Sequence, residues 1–117
     1  MSRDETQNTL KLAFGVHNAP VDAPAKVLRQ IESEAQALAV SMRAGGHKAA
    51  YIAACIARHE SYVSLMRSGK RSIPDKLVRP LCAATGSNLL AQYVALQAAL
   101  DGASEVSRLA AMLRAAA

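Results

Sequence analysis

Residues 48–74 read KAAYIAACIARHESYVSLMRSGKRSIP. Alanine-rich and apolar spacing predicts a first helix over Lys48 to Ala57. Glu60 to Ser68 forms a second, and Gly69 stops it in a left-handed conformation. Two helices crossing steeply need a small side chain where their backbones approach, and Ala53 supplies it mid-way along the first. Ala57 marks the corner. Val63 and Met66 lie three apart on the second helix, so both point back at the first. This is a helix-turn-helix arrangement, in which a second helix is carried into a DNA groove.

Ala53, Ala57, Val63, the loop Ser68-Gly69-Lys70-Arg71 and Pro74 together resemble the DNA-binding domains of lambda-repressor-like (Cro/C1-type) phage regulatory proteins. The resemblance spans Met42 to about Tyr93. Two residues depart from its usual pattern. Ala57 replaces the corner glycine, so the left-handed backbone usual there either carries strain or relaxes. His59 stands where a Ser or Thr cap is usual. The resemblance implies base-reading positions at Glu60, Ser61 and Leu65, with Ser64 flanking and Arg67 reaching either guanine or a phosphate. Their chemistry fits: Glu60 accepts from cytosine N4, Ser61 donates or accepts, and Leu65 touches a thymine methyl. Phosphate contacts are expected from Lys48, Tyr51, Arg58, His59, Lys70, Arg71 and Ser72. Lys48 also brings the free N–H groups of a helix start. Leu65 has a second reading as a partly buried packing residue, and Tyr51 as a cover for the core.

Charge is distributed unevenly around this stretch. Between Arg43 and Arg79 there are eight Lys or Arg (Arg43, Lys48, Arg58, Arg67, Lys70, Arg71, Lys76, Arg79) against Glu60 and Asp75. The rest of the chain is close to neutral, so the net charge of +5 resides here. A polyanion is the direct physical partner.

Outward from the centre, Pro24 to Ala44 is expected to be one helix ended by Gly45-Gly46. Val27, Leu28, Ile31, Ala35, Leu38 and Met42 form its apolar stripe. Residues 1–23 are weakly patterned and broken by prolines, which predicts a mobile arm or a loosely docked short helix over Thr9 to Phe14. Its Arg3 and Lys11 are offset by Asp4 and Glu5. On the other side, Ser72-Ile73-Pro74-Asp75 is expected to cap a helix carrying Val78, Leu81 and Cys82. Leu89 to Leu100 then follows, a break falls at Asp101-Gly102, and Ser104 opens a last helix with Val106, Leu109, Ala110 and Leu113 on one side. The chain thus divides into an arm (1–23), a DNA-binding domain (24–100) and a C-terminal helix (101–117). The surplus apolar surface of the last helices points to a homodimer, which matches paired half-sites.

The composition excludes several classes. The 117 residues hold no Trp, one Phe and three Tyr, and Ala and Leu dominate. The expected fold is all-α, a lambda-repressor-like bundle of about five helices with helical extensions. No apolar run approaches the roughly 20 residues that span a bilayer. The charged start MSRDETQNT does not read as a signal peptide. Cys55 and Cys82 read as buried reduced thiols, consistent with a cytoplasmic protein. His17, His47 and His59 are isolated and there is no Cys-x-x-Cys, so no metal is expected. Gly45-Gly46-His47-Lys48 lacks the order of a phosphate loop. No nucleophile–base set stands out, which argues against an enzyme, a cofactor or a small-molecule substrate. The expected function is a sequence-specific transcriptional regulator of phage or mobile-element type, bound to double-stranded operator DNA as a dimer. The alternative is a protein-interaction module, an antitoxin or anti-repressor, whose helical ends bind a protein.

Overall fold

A computed structural model describes residues 19–116, and the helix expected over Thr9 to Phe14 and the charges of the arm lie outside them. The described residues are all-helical. The helices are α1 (Ala25–Leu28), α2 (Glu34–Ala44), α3 (Ala49–Ile56), α4 (Glu60–Ser68), α5 (Asp75–Thr85) and α6 (Leu89–Ala116). The core joins Leu38 and Met42 of α2, Ile52 of α3, Val63 and Met66 of α4, Leu81 of α5 and Leu89, Leu90 and Tyr93 of α6. Helix α3 packs on both α4 and α5, while α2 packs on α4 and α6. No buried side-chain nitrogen or oxygen among the described residues lacks a partner. Ser41 Oγ donates to Ala37 O and Thr85 Oγ1 to Leu81 O.

The single helix expected over Pro24 to Ala44 is two. The apolar stripe continues through Ile31, but the backbone turns at residues 29–33. Ser33 takes an extended conformation and its hydroxyl accepts from Gln36 N, while the Gln36 side chain accepts from Glu32 N at 2.6 Å. This is a variant of the reciprocal capping box. Tyr93 holds the break from outside, its hydroxyl donating to Glu32 O at 3.0 Å.

The opposite correction applies at the C-terminus. Helix α6 runs through Asp101-Gly102 without interruption. A lone glycine costs about 1 kcal/mol relative to alanine in a helix. Alanine- and leucine-rich flanks with no proline absorb that. The capping box expected at Ser72–Asp75 is also absent. Pro74 occupies the cap position with no side-chain bond, so Ser72 stands two residues too early. Asp75 still places a carboxylate in the first turn, where the helix dipole favours it.

Residues 19–23, expected to be part of a mobile arm, are docked. Val21 N donates to Gly86 O and Asn88 N to Val21 O, at 3.1 and 2.8 Å. The Gln92 amide clasps the Ala23 backbone from both sides, accepting from its N–H and donating to its carbonyl.

Between α3 and α4 the chain turns within Ala57, Arg58 and His59. Ala57 has φ 55° and ψ 47°, so the corner keeps the left-handed conformation and does not relax. Arg58 N reaches Ala53 O at 3.0 Å and Ala57 N reaches Ala54 O at 3.4 Å. This pair of bonds is a Schellman closure, normally given to glycine. Alanine in this region costs about 1–2 kcal/mol. Glycine would relieve it but gain freedom in the unfolded chain, worth about 0.4–1 kcal/mol. Ala57→Gly should therefore raise stability by roughly 0.5–1 kcal/mol. A urea midpoint that stays put or falls would show that the corner stores no such strain.

Candidate nucleic-acid interface

Helix α4 is built to hold one face in and one face out. Val63 and Met66, fully buried, fix the inner face. Its start is closed by His59, whose Nδ1 accepts from Ser61 N at 3.2 Å and pairs with Ser61 Oγ at 2.8 Å. The residue that departs from the usual hydroxyl cap thus performs the capping itself. Its end is closed by Gly69 at φ 82°, with Gly69 N bonded to Met66 O and Lys70 N to Leu65 O. The two closures leave the outward face rigidly presented.

That face lines an open groove. Glu60, Ser61, Ser64, Leu65 and Arg67 share it with His59, Ser68 and Lys70. All five expected base-reading residues therefore lie on one surface. Leu65 is 38% exposed. Ser61 is already engaged with His59, and with Nδ1 acting as an acceptor its hydroxyl donates to the ring and keeps its own acceptor capacity. Ser68 was not expected. The signal for it was its place just before Gly69, but its hydroxyl donates to Leu65 O, which makes it part of the helix end.

The expected phosphate contacts do not form one cluster. Lys70 and His59 stand at the groove itself. Arg71 and Ser72 line a neighbouring depression with Glu32, Glu34 and Tyr93. The Arg71 guanidinium lies over the Tyr62 ring, 4.2 Å from its centroid. Such a cation–π contact restrains the side chain without removing its charge. Sequence spacing held no hint of it, because Tyr62 and Arg71 are brought together by the turn at Gly69. Arg58 is exposed at the corner, its guanidinium donating to Ala57 O at 3.2 Å rather than to Glu60.

Lys48 and Tyr51 mark the start of α3. Lys48 is the cap residue of that helix and is exposed. The Tyr51 ring stacks on His47 with centroids 5.1 Å apart and planes 12° from parallel. His47 is itself anchored by Nε2 donating to Thr85 O at 3.1 Å. Tyr51 is thus positioned from behind and not inserted in the core. Burial, and secondarily the Cys55 thiol, push its hydroxyl above the ordinary tyrosine range, so it is a neutral donor at pH 7. Where the ends of α2 and α4 meet, Arg43, His47 and Arg67 line a third depression, which places Arg67 between the groove and a cationic flank.

No family model, curated protein or solved structure matches the chain. The functional reading therefore stands on the residues and their placement. Burial also pushes the Cys82 thiol up, against a smaller opposing effect of the Ala91 backbone. Cys82 is 3% exposed and behaves as a packing residue. Among the described residues no set of three His, Cys, Asp or Glu side chains converges as a metal site would require, and no helix is long and apolar enough to cross a membrane.

Proposed function

We propose that the chain is a sequence-specific DNA-binding transcriptional regulator of the lambda-repressor-like, phage or mobile-element type. Helix α4 enters the major groove of operator DNA, and two copies of the chain occupy paired half-sites. One observation carries this reading: Glu60, Ser61, Ser64, Leu65 and Arg67 share a single open face of a helix whose other face is buried. Base edges need such a mixed donor, acceptor and methyl-binding surface. Cations on either side then set register on the backbone. Lys70 and Arg71 act at one end of α4, Arg58 at the other, and Lys48 with Tyr51 at the start of α3. Such contacts give affinity but carry no sequence information.

Glu60 needs a specific place in this scheme. A carboxylate at a helix start is favoured by the dipole, yet it repels phosphate. Facing a cytosine amino group, it rejects the bases that offer no donor at that point. The recognition chemistry thus includes one residue that acts largely by exclusion.

The test is fluorescence anisotropy of full-length protein on random-sequence duplex DNA across a salt series. Six or more phosphate contacts imply a fall in affinity on the order of 1,000-fold between 50 and 200 mM salt. Absence of binding at 50 mM salt would remove the DNA reading and leave the protein-interaction alternative.

A further inference from the structure

Helix α6 begins as a core element and ends as something else. Its buried residues are Leu89, Leu90 and Tyr93, all in the first two turns. Val94 still packs on the core and Gln97 is half-buried, but from Ala98 onward every described residue is exposed and the helix leaves the body of the protein. The molecule measures 70 × 27 × 25 Å and has a radius of gyration of 17.8 Å. A compact chain of this length would have about 13–14 Å. The projecting part is not polar. Leu100, Val106, Leu109, Met112 and Leu113 are 53–74% exposed.

The pattern along this half is regular. Ala95, Ala99, Gly102, Val106, Leu109, Leu113 and Ala116 alternate at spacings of four and three. That is the seam of a two-helix contact. Gln97, Asp101, Ser104 and Arg108 fall on the far side of the helix. The seam is also graded in size. Its first part is Ala, Ala and Gly; its last part is Val, Leu and Leu. No second helix of the chain covers it among the described residues, and nothing lies within 4 Å of where a Gly102 Cβ would stand.

We infer that this seam pairs with its counterpart on a second copy of the chain, antiparallel and centred on Val106. The inference rests on the dimeric reading above and gives it a location and a direction. The grading in size decides the direction. In an antiparallel pair Leu113 meets Ala99, Leu109 meets the small residues Gly102 and Ala103, and Val106 meets Val106. Large faces small on both sides of the central Val106 pair, which fills the contact evenly. A parallel pair would set Ala99 against Ala99 and Gly102 against Gly102, leaving a gap at that end of the seam. The seam is about 33 Å long at 1.5 Å per residue. Two copies of a strip that long bury on the order of 1,200 Å² together, the lower edge of specific interfaces.

Sedimentation equilibrium of the full chain without DNA tests the pairing. A dimer is expected at micromolar concentration. Val106→Glu and Leu109→Glu should each raise its dissociation constant at least tenfold with helix content unchanged, since both positions are exposed in the single chain. Direction is read by electron–electron resonance between spin labels at R114C in a C55S background. Antiparallel pairing separates the labels by about 24 Å along the axis; parallel pairing leaves them about 10 Å apart, one interaxial distance. A wild-type monomer at 200 µM, a dimer indifferent to both substitutions, or the short label distance would each overturn the inference. The Lys70→Glu, Arg71→Glu double variant separates this result from the DNA reading. It should dimerise as wild type whether or not either protein binds DNA.

Discussion

Reversing Lys70 and Arg71 together to Glu is expected to lower affinity for duplex DNA on the order of 100-fold at low salt, and equally for every sequence. The effect has two parts. Two cations that displace counterions are lost, so the log–log salt slope flattens by about two. Two anions then face the backbone at the same place. Arg71 contributes more than an exposed side chain usually would, because the Tyr62 ring holds its guanidinium 4.2 Å from the centroid. A residue fixed in advance gives up little conformational freedom on binding. Tyr62→Leu should accordingly weaken binding in the same sequence-independent way, though less. The measurement is anisotropy on two unrelated duplexes at several salt concentrations. If the double reversal changes one duplex and spares the other, these residues read bases, and the division between backbone and base contacts is drawn in the wrong place.

The centre of this surface was legible in the sequence, and its surroundings were less so. Val63 and Met66, Gly69 and the corner at Ala57 are local signals, each set by helix periodicity or a positive φ. They placed α4 within a residue of its observed ends. The errors arose where two local signals competed. At Ser33 a capping pattern ended one helix and began another, yet Val27, Leu28, Ile31 and Leu38 kept an unbroken apolar spacing across it. At Gly102 the reverse held, with a nominal helix breaker amid strong helix formers. Summed propensity outweighs one glycine, whereas a satisfied cap and the Tyr93 bond to Glu32 outweigh periodicity. Contacts such as Arg71 on Tyr62 and His47 between Thr85 and Tyr51 depend on how elements pack. No sequence spacing reports them.

Neighbouring residues on α4 should separate stability from recognition. Met66→Ala is expected to cost 2–5 kcal/mol, a range set by how far the surroundings collapse into the space left behind. Met66 is fully buried among α2, α3 and α4, so little collapse is available. For a small domain with about 5–15 kcal/mol of stability, that is a large fraction of the total. Leu65→Ala removes a similar volume one residue away, but Leu65 is 38% exposed and lines the groove. Its cost in stability should stay near the 0.5 kcal/mol typical of surface changes. Its effect belongs to binding, where loss of a methyl contact relaxes preference at one base pair by about 1–3 kcal/mol. Urea unfolding and selection from a randomised duplex pool, run on both variants, give the comparison. Were Leu65→Ala as destabilising as Met66→Ala, with the preferred sequence unchanged, Leu65 would be a packing residue and the base-reading face would narrow to Glu60, Ser61, Ser64 and Arg67. Were Met66→Ala to alter sequence preference at a temperature where it remains folded, the buried face of α4 would be setting its angle in the groove, and inner and outer faces would have to be treated as one device.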